Sequence, residues 1–199
     1  MTQVWDGQQR RIEMQEVGTR DGLQSEARFV ATEDKIALIN ALSLCGLSRI
    51  EVTAFVSATA IPALKDAEIV MNEITRQPGV IYSALVPNLM GAQRAIGAHA
   101  DELNMVLSAT ESHNVSNLRM TQAQSFKAVQ AVAACAKEAG VALNVSLSCA
   151  FGCPMEGDVP VSVVLDWCRR FIEELGAGGV TLCDTTGMAY PTQVAELTQ

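Results

Sequence analysis

The chain has few basic residues, few histidines and no long apolar run. Among its 199 residues, 14 are lysine or arginine and 22 are aspartate or glutamate, which gives a formal charge of −8. Domains that bind nucleic acids generally carry a basic patch, so this balance argues against a nucleic acid partner. No apolar stretch reaches the roughly 18 residues that a membrane-spanning helix needs, and we expect no membrane partner.

Signals for secretion and for disulfide bonding are missing as well. Residues 1–6 lack the basic region and apolar core that open a secretory signal. Most of the six cysteines have apolar neighbours, as Cys45, Cys135 and Cys168 do. This pattern predicts buried free thiols in a reducing compartment rather than a disulfide framework. We therefore expect a cytoplasmic protein.

Two kinds of segment alternate along the chain, and a hydrophobic content of 49% provides for a large core. Runs with strand-like composition lie at residues 11–17, 49–55, 80–86, 102–107, 141–148 and 179–183. Runs with helical spacing lie at residues 34–45, 63–76, 89–97, 121–139 and 161–175. Such alternation predicts parallel strands joined by right-handed crossovers. No linker rich in Pro, Gly or Ser interrupts the series, so we expect one domain over residues 1–199.

Single residues indicate where some helices begin and end. Thr32 and Thr121 carry hydroxyl groups that could cap free amides at a helix start. Gly46, Gly97 and Gly140 follow helical runs, where a left-handed residue often ends a helix.

Two parallel α/β architectures are compatible with this pattern. A doubly wound sheet often carries G-x-G-x-x-G after its first strand, and the chain lacks that pattern. A TIM (β/α)8 barrel collects polar catalytic residues at the carboxyl ends of several strands. Such residues follow or interrupt the predicted strands here, namely Arg20, Asp21, Glu51, Thr53, Asn88, Asp184 and Thr185. We therefore expect a TIM barrel, of which about six β/α units are present because a whole barrel needs about 250 residues.

The most informative motif places an arginine beside an aspartate after the first predicted strand. Residues 16–26 read Glu-Val-Gly-Thr-Arg-Asp-Gly-Leu-Gln-Ser-Glu. Gly18 and Gly22 permit an unusual backbone path there. Arg20 offers directional donors to a carboxylate or an oxyanion, and Asp21 can accept a proton or bind a hard cation. A surface turn with a simple Arg–Asp ion pair is the alternative.

A set of motifs that includes this turn resembles the hydroxymethylglutaryl-CoA lyase family of metal-dependent TIM-barrel lyases. The motifs occupy residues 16–24, 50–57, 85–89, 148–157 and 184–187, in the family's order and across essentially the whole chain. The Arg-Asp-Gly-x-Gln core also occurs in isopropylmalate and homocitrate synthases. Leu23 and the Gly-Cys-Pro-x-Glu-Gly segment that begins at Gly152 favour the lyase branch.

The sequence departs from the family pattern at several points. Thr19 replaces the usual Pro, and Cys183 and Thr186 vary the usual Gly-Asp-Thr-Ile-Gly. The family's His-x-His metal ligands, its Gly-Gly-Cys-Pro loop and its strand-eight Asn have no counterpart. The two histidines, His99 and His113, match nothing in that motif. We therefore expect a truncated product or part of a longer protein, with little lyase activity by itself.

The resemblance implies cleavage of 3-hydroxy-3-methylglutaryl-CoA to acetoacetate and acetyl-CoA. It implies that Arg20 stabilises the enolate oxygen and that Asp21 binds a divalent metal cation, Mg²⁺ or Mn²⁺. It further implies that Arg20, Glu51 and Asp184 are the catalytic residues. The substrate-binding residues that it implies are Arg20, Gln24, Asn88 and Thr185. We also expect a CoA-thioester substrate and assembly into homo-oligomers.

Other interpretations remain open for several of these features. Glu51 could be a structural carboxylate with buried partners, and Thr185 could cap the next turn. His113 is more typical of a supporting residue than of a ligand, and Cys149 and Cys153 are more typical of packed thiols than of a zinc site. For the whole protein, the alternatives are a related lyase acting on citramalyl-CoA and a non-catalytic binding or assembly protein.

Overall fold

The computed structural model describes residues 13–198. The strands are β1 Gln15–Glu16, β2 Arg49–Ala54, β3 Ile81–Leu85, β4 Glu102–Ser108, β5 Ala142–Ser148 and β6 Gly179–Leu182. The α-helices are α1 Thr32–Ser43, α2 Ala67–Glu73, α3 Leu89–Gly97, α4 Glu111–Leu118, α5 Gln122–Ala139, α6 Val161–Arg169 and α7 Pro191–Thr198. A 3₁₀ turn spans Pro62–Leu64, and π-helical turns span Gly18–Gly22 and Arg170–Glu174. The segment considered for a secretory signal and the start of the first predicted strand lie outside the described residues.

The strands hydrogen bond side by side in the order of the chain, from β1 to β6. The registered pairs are parallel, with Gln15 opposite Arg49 on β1 and β2, and Asn144 opposite Gly179 on β5 and β6. A doubly wound sheet reverses its strand order at a switch point, whereas a TIM barrel adds each new strand beside the previous one. The sequential order therefore confirms an α/β fold of the TIM-barrel type with six β/α units.

The described residues form two compact units. We call residues 13–105 and 131–143 the Arg20 unit, and residues 106–130 and 144–198 the Cys153 unit. The single domain expected from the sequence stays a prediction.

Strand β2 contributes much of the core of the Arg20 unit. Ile50, Val52 and Ala54 are buried, and so are the polar residues Glu51 and Thr53 between them. The burial of these five successive residues shows that both faces of β2 are covered, as is usual for strands of parallel sheets. The two polar residues therefore need partners inside the protein.

A buried ion pair joins α1 to the segment that precedes α2. Lys35 Nζ lies 2.7 Å from Asp66 Oδ1 and 2.6 Å from the carbonyl oxygen of Ala63. Thr32 donates its hydroxyl to Asp66 at 2.8 Å, and the N-cap residue of α1 is Ala31, which makes no side-chain cap. The predicted cap at Thr32 is wrong, because Thr32 is already the first helical residue and its hydroxyl donates to Asp66.

An aromatic cluster stabilises the Cys153 unit. The ring centroids of Phe126 and Trp167 are 5.8 Å apart, those of Trp167 and Phe171 are 5.6 Å apart, and all three side chains are buried. The Arg170 guanidinium stacks 4.0 Å from the Phe126 centroid and 4.4 Å from that of Trp167. Each such cation–π contact contributes about 0.5–1 kcal/mol.

Most predicted element boundaries agree with the structure to within a few residues, and α3 agrees at both ends. Helix α4 was not predicted, because its polar sequence lacks an apolar stripe. Thr121 accepts the Gln124 amide at 3.1 Å, which confirms that cap. Gly97 is the last residue of α3 rather than its left-handed terminator, and His99 takes the positive φ of 64° instead.

All six cysteines are free thiols, as predicted. The predicted burial is confirmed for Cys149 and Cys153 but is wrong for Cys45, which is exposed, and for Cys135 and Cys168, which are half-buried. Apolar neighbours in sequence do not determine which face of a helix or turn carries the thiol. Among residues 13–198, no helix is long and apolar enough to cross a membrane.

Candidate active site

The turn that follows β1 is fastened to strand β2. Residues Gly18–Gly22 form a π-helical turn, in which two amides donate to the Val17 carbonyl oxygen at 3.0 and 2.7 Å. The buried Thr19 donates its hydroxyl to the backbone oxygen of Glu51 at 2.7 Å. Turns of this type are rare and are frequent at functional sites. The side chains of Arg20 and Asp21 therefore project from a turn that is held firmly against β2.

Arg20 contacts two carboxylates in different environments. Its Nη1 lies 2.7 Å from Asp21 Oδ1, its Nε lies 3.0 Å from Glu51 Oε1, and its Nη2 lies 3.4 Å from Glu51 Oε2. Glu51 is 1% exposed, whereas the Asp21 side chain is 65% exposed. Asn104 also donates to Glu51 Oε1, at 3.3 Å. Glu51 therefore holds the guanidinium in place, and Asp21 faces solvent.

A second ion pair adds another carboxylate to the same strands. Arg49 Nη1 lies 3.1 Å from Glu102 Oε1. Burial raises the pKa of Glu102, the Arg49 charge opposes this rise, and the negative charge of Glu51 adds to it. The pKa of Glu102 on β4 is therefore sensitive to the charge of Glu51 on β2.

Gln24 lines a groove of about 470 Å³ in the Arg20 unit. Phe29 and Lys65 also line it, and the Lys65 ammonium lies 4.5 Å from the centroid of the Phe29 ring. The groove combines an exposed aromatic ring, a cation and an amide, which suits a ligand with both apolar and polar parts. The substrate-binding role of Gln24 stays a prediction.

Asn88 caps helix α3. Its side-chain oxygen accepts the Gly91 amide at 3.0 Å. Gly91 is needed at this helix start, because a Cβ there would lie 2.7 Å from the Phe55 carbonyl oxygen and 2.8 Å from Pro87 Cδ. A structural function thus accounts for the side-chain oxygen of Asn88. Its predicted contact with substrate stays a prediction.

Asp184 and Thr185 organise the segment after β6 in the Cys153 unit. Asp184 Oδ1 accepts the amides of Met188 and Ala189 at 2.8 and 3.1 Å. Thr185 Oγ1 accepts the Cys149 amide at 2.9 Å, which links the end of β6 to the end of β5. Both side chains are exposed. The Thr185 side chain also forms a hydrogen bond with the Cys149 thiol, which partly offsets the effect of burial on the pKa of that thiol.

The structure brings Arg20, Asp21 and Glu51 together, as predicted for a site at a strand end. Asp184 and Thr185 belong to the other unit, and their catalytic and binding roles stay predictions. Sequence reasoning missed Asn104, although it interrupts an apolar strand in the same way as Glu51. That shared signal could have identified it.

The described residues offer few ligands to a metal ion. Within residues 13–198, no group of three or more His, Cys, Asp or Glu side chains is arranged to hold one. Asp21 supplies one exposed carboxylate, and His113 Nδ1 is 2.7 Å from the Ser108 hydroxyl. Mg²⁺ requires near-octahedral oxygen coordination, and one carboxylate supplies only a small part of that ligand set. The described residues therefore do not make up a metal site, and Asp21 as a ligand stays a prediction.

The sequential parallel strands, with an arginine–carboxylate cluster at the end of the first, define a TIM-barrel protein. The model of the HMGL-like family matches residues 11–199. The chain therefore belongs to the HMGL-like family, which confirms the resemblance found in the motifs.

Named relatives agree with this assignment. The chain is 42% identical over 185 residues to the hydroxymethylglutaryl-CoA lyase YngG of Bacillus subtilis and 39% identical over 186 residues to a cytoplasmic 3-hydroxy-3-methylglutaryl-CoA lyase of Danio rerio. An HMG-CoA lyase of Acinetobacter baumannii, solved with coenzyme A and 3-methylmalate, superposes with a TM-score of 0.87 at 47% identity. These matches cover 93%, 94% and 92% of this chain but only 62%, 55% and 59% of the relatives. The chain thus spans a little more than half the length of the relatives that it matches.

Proposed function

We propose that the protein is a carbon–carbon lyase that cleaves 3-hydroxy-3-methylglutaryl-CoA to acetoacetate and acetyl-CoA. The observation that carries this proposal is the Arg20 guanidinium, anchored by the buried Glu51 beside the exposed Asp21. The names of the relatives support the same reaction.

Arg20 is suited to the negative charge that develops on the thioester oxygen. A guanidinium has five N–H donors, and the hydrogen bonds to described residues use three of them. As far as these residues are concerned, two donors remain for a ligand. A donor that is fixed before the reaction stabilises an enolate without reorganisation at the moment of reaction, and its loss commonly costs about 10²–10³ in rate.

Glu51 acts in this proposal as the residue that positions Arg20. Both of its oxygens receive donors from Arg20, and Asn104 adds a third hydrogen bond. The contacts therefore favour positioning over proton transfer.

The proposal includes a divalent metal cation, Mg²⁺ or Mn²⁺. The family is metal-dependent. Asp21 is the residue of this chain best placed to contribute a ligand, because its carboxylate is exposed and lies next to Arg20. Since the described residues form only part of a metal site, the steps assigned to this chain involve protein groups alone.

The proposal also covers the substrate class, the oligomeric state and the cellular location of the protein. A CoA thioester is the proposed substrate, supported by the relative that was solved with coenzyme A. We expect Gln24, Asn88, Thr185 and Asp184 to contribute to binding or to proton transfer. Homo-oligomer formation and a cytoplasmic location are also proposed, and the names of relatives include both cytoplasmic and mitochondrial forms.

The proposal is tested by incubating the purified protein with 3-hydroxy-3-methylglutaryl-CoA and, in parallel, with citramalyl-CoA. Both reactions contain Mg²⁺ or Mn²⁺, and acetoacetate and acetyl-CoA are measured. Arg20→Lys should lose most of the activity, because an ammonium cannot reproduce the guanidinium fork. Arg169→Lys is the matched control, since Arg169 makes the same 2.7 Å contact with a neighbouring aspartate, Asp166. Cleavage of citramalyl-CoA alone would replace the proposed substrate, and equal loss in both variants would remove Arg20 from the mechanism.

A further inference from the structure

Two buried cysteines in the Cys153 unit lie in direct contact. Cys149 and Cys153 have no exposed surface, and their thiols are close enough to interact. Cys149 follows β5 with a φ of 56°, a left-handed conformation that is uncommon outside glycine. Strained backbone of this kind persists where the surroundings fix it, and it is concentrated at functional sites.

The sulfur of Cys153 sits in a cluster of hydrogen-bond donors. The Thr110 hydroxyl donates to it at 3.1 Å, and the amides of Met155 and Glu156 also bond to it. The turn that supplies these amides is closed by two backbone hydrogen bonds between Cys153 and Gly157, at 2.8 and 2.7 Å. Donors aimed at a sulfur stabilise its thiolate form.

The two thiols differ in their affinity for a proton. Burial raises the pKa of Cys153, but the Thr110 hydroxyl and the turn amides outweigh it, so the pKa is lowered overall. Burial raises the pKa of Cys149 to about 11, and the neighbouring Cys153 adds to the rise. Of the two thiols, Cys153 therefore loses its proton more readily than Cys149.

We propose that Cys153 and Cys149 form a redox-active pair, in which Cys153 reacts with a peroxide and Cys149 closes an intramolecular disulfide. In the first step the Cys153 thiolate attacks one peroxide oxygen, an S–O bond forms and the O–O bond breaks. The sulfur is oxidised to a sulfenic acid, and the departing hydroxide takes up a proton to become water. In the second step the Cys149 sulfur attacks Cys153, an S–S bond forms, and the S–O bond breaks. The Cys149 proton leaves with the hydroxide as a second water.

Access to the pair is controlled by an exposed turn. Residues 154–158 are exposed and lead directly away from Cys153. Glu156 fastens this turn to the start of α4, because its Oε1 accepts the Ser112 amide at 2.8 Å. The peroxide reaches the sulfur when the turn opens, so Cys153 need not be oxidised faster than exposed thiols. The pair is identified by its product, the disulfide between Cys149 and Cys153.

The test uses the reduced 199-residue protein, treated with hydrogen peroxide, unfolded in the presence of an alkylating agent and mapped by tandem mass spectrometry. We expect Cys149 and Cys153 to resist alkylation in a peptide that has lost two hydrogens, with recovery of both thiols after dithiothreitol. In Cys149→Ser, a sulfenic acid should accumulate at Cys153 and be captured by dimedone. In Thr110→Val, disulfide formation should be roughly threefold slower, because loss of the hydroxyl donor lowers the thiolate fraction.

Cys168→Ser is the matched control, because Cys168 is half-buried and burial raises its pKa. This variant should form the Cys149–Cys153 disulfide at the unchanged rate. Disulfide mapping of the unsubstituted protein tests the proposed redox pair even if a variant fails to fold. Full alkylation of both Cys149 and Cys153 after the exposed Cys45 has been oxidised would overturn the proposal.

Discussion

The guanidinium of Arg20 donates to the buried carboxylate of Glu51 through two nitrogens, Nε at 3.0 Å and Nη2 at 3.4 Å. The Arg20 side chain is 15% exposed and that of Glu51 is 2% exposed, so salt screens this pair much less than a surface pair. A carboxylate buried to this extent depends on its partner, because an unpaired charge in the interior is costly. The residue proposed to act on substrate is therefore also part of the structure.

Arg20→Met should lower the free energy of unfolding by roughly 3 kcal/mol, because it leaves the Glu51 charge buried without its main partner. Glu51→Gln added to this variant should restore part of the loss, since an amide carries no charge. Urea unfolding of the two single variants and the double variant measures the coupling, which we expect at about 1–3 kcal/mol. Simple additivity of the two single effects would show that the pair does not depend on charge.

Asp21→Asn should separate function from stability. Its carboxylate is largely exposed, so the free energy of unfolding should change by less than about 1 kcal/mol. Activation of thioester cleavage by Mg²⁺ or Mn²⁺ should weaken strongly, because the charged oxygen is lost while the shape is kept. Asp166→Asn serves as the control, since Asp166 is a similarly exposed partner of an arginine. An unchanged metal titration in Asp21→Asn would exclude Asp21 as a ligand.

Cys149 should make the protein less stable in alkali. Burial raises the pKa of its thiol from 9.0 to about 11, so between these values the unfolded chain has released a proton that the folded chain still holds. Stability gained from this group is present below pH 9.0 and is lost as pH rises toward 11, by up to about 2 kcal/mol. Urea midpoints measured under reducing conditions at several pH values test this. Cys149→Ala should show a shallower decline, and an identical decline would assign the effect to other groups.

Two glycines of helix α3 should respond to alanine in opposite directions. A Cβ at Gly91 would meet the Phe55 carbonyl oxygen and Pro87, so Gly91→Ala should destabilise by about 1–3 kcal/mol. A Cβ at Gly97 would meet nothing within 4 Å, so Gly97→Ala should stabilise by roughly 0.5–1 kcal/mol through helix propensity. Thermal and urea unfolding of both variants provide the comparison. A similar change in both would mean that the close approach at Gly91 is relieved by movement of its neighbours.

The sequence revealed those features whose signal is local. Glu51 stood out because a carboxylate in an apolar strand is unusual, and the structure buries it with Arg20 and Asn104 as its partners. Alternating strand and helix runs predicted the parallel fold, since their periodicity and length are set within short segments. Helix α3 agreed at both ends because Asn88 and the apolar spacing mark it without help from elsewhere.

Features that depend on distant partners could not be read in this way. Lys35 looks like a solvent-exposed residue of a helix, yet Asp66, 31 residues further on, binds it in the interior. The π-helical turn follows no repeating pattern, because hydrogen bonds to Val17 and Glu51 define it. The contact between Cys149 and Thr185 likewise joins the ends of two strands that are far apart in sequence.

Glu51 holds the turn after β1 in two ways, through its backbone oxygen to the Thr19 hydroxyl and through its carboxylate to Arg20. The turn and the middle of β2 should therefore open together, as one cooperative unit of local unfolding. Amides of Arg20 and Asp21 should then exchange with solvent deuterium at a rate set by opening of the sheet, although the turn lies near the surface. A site built in this way is kept rigid by the stability of the strand beneath it, so loss of packing around β2 would loosen Arg20 without any change in the residues that contact a substrate.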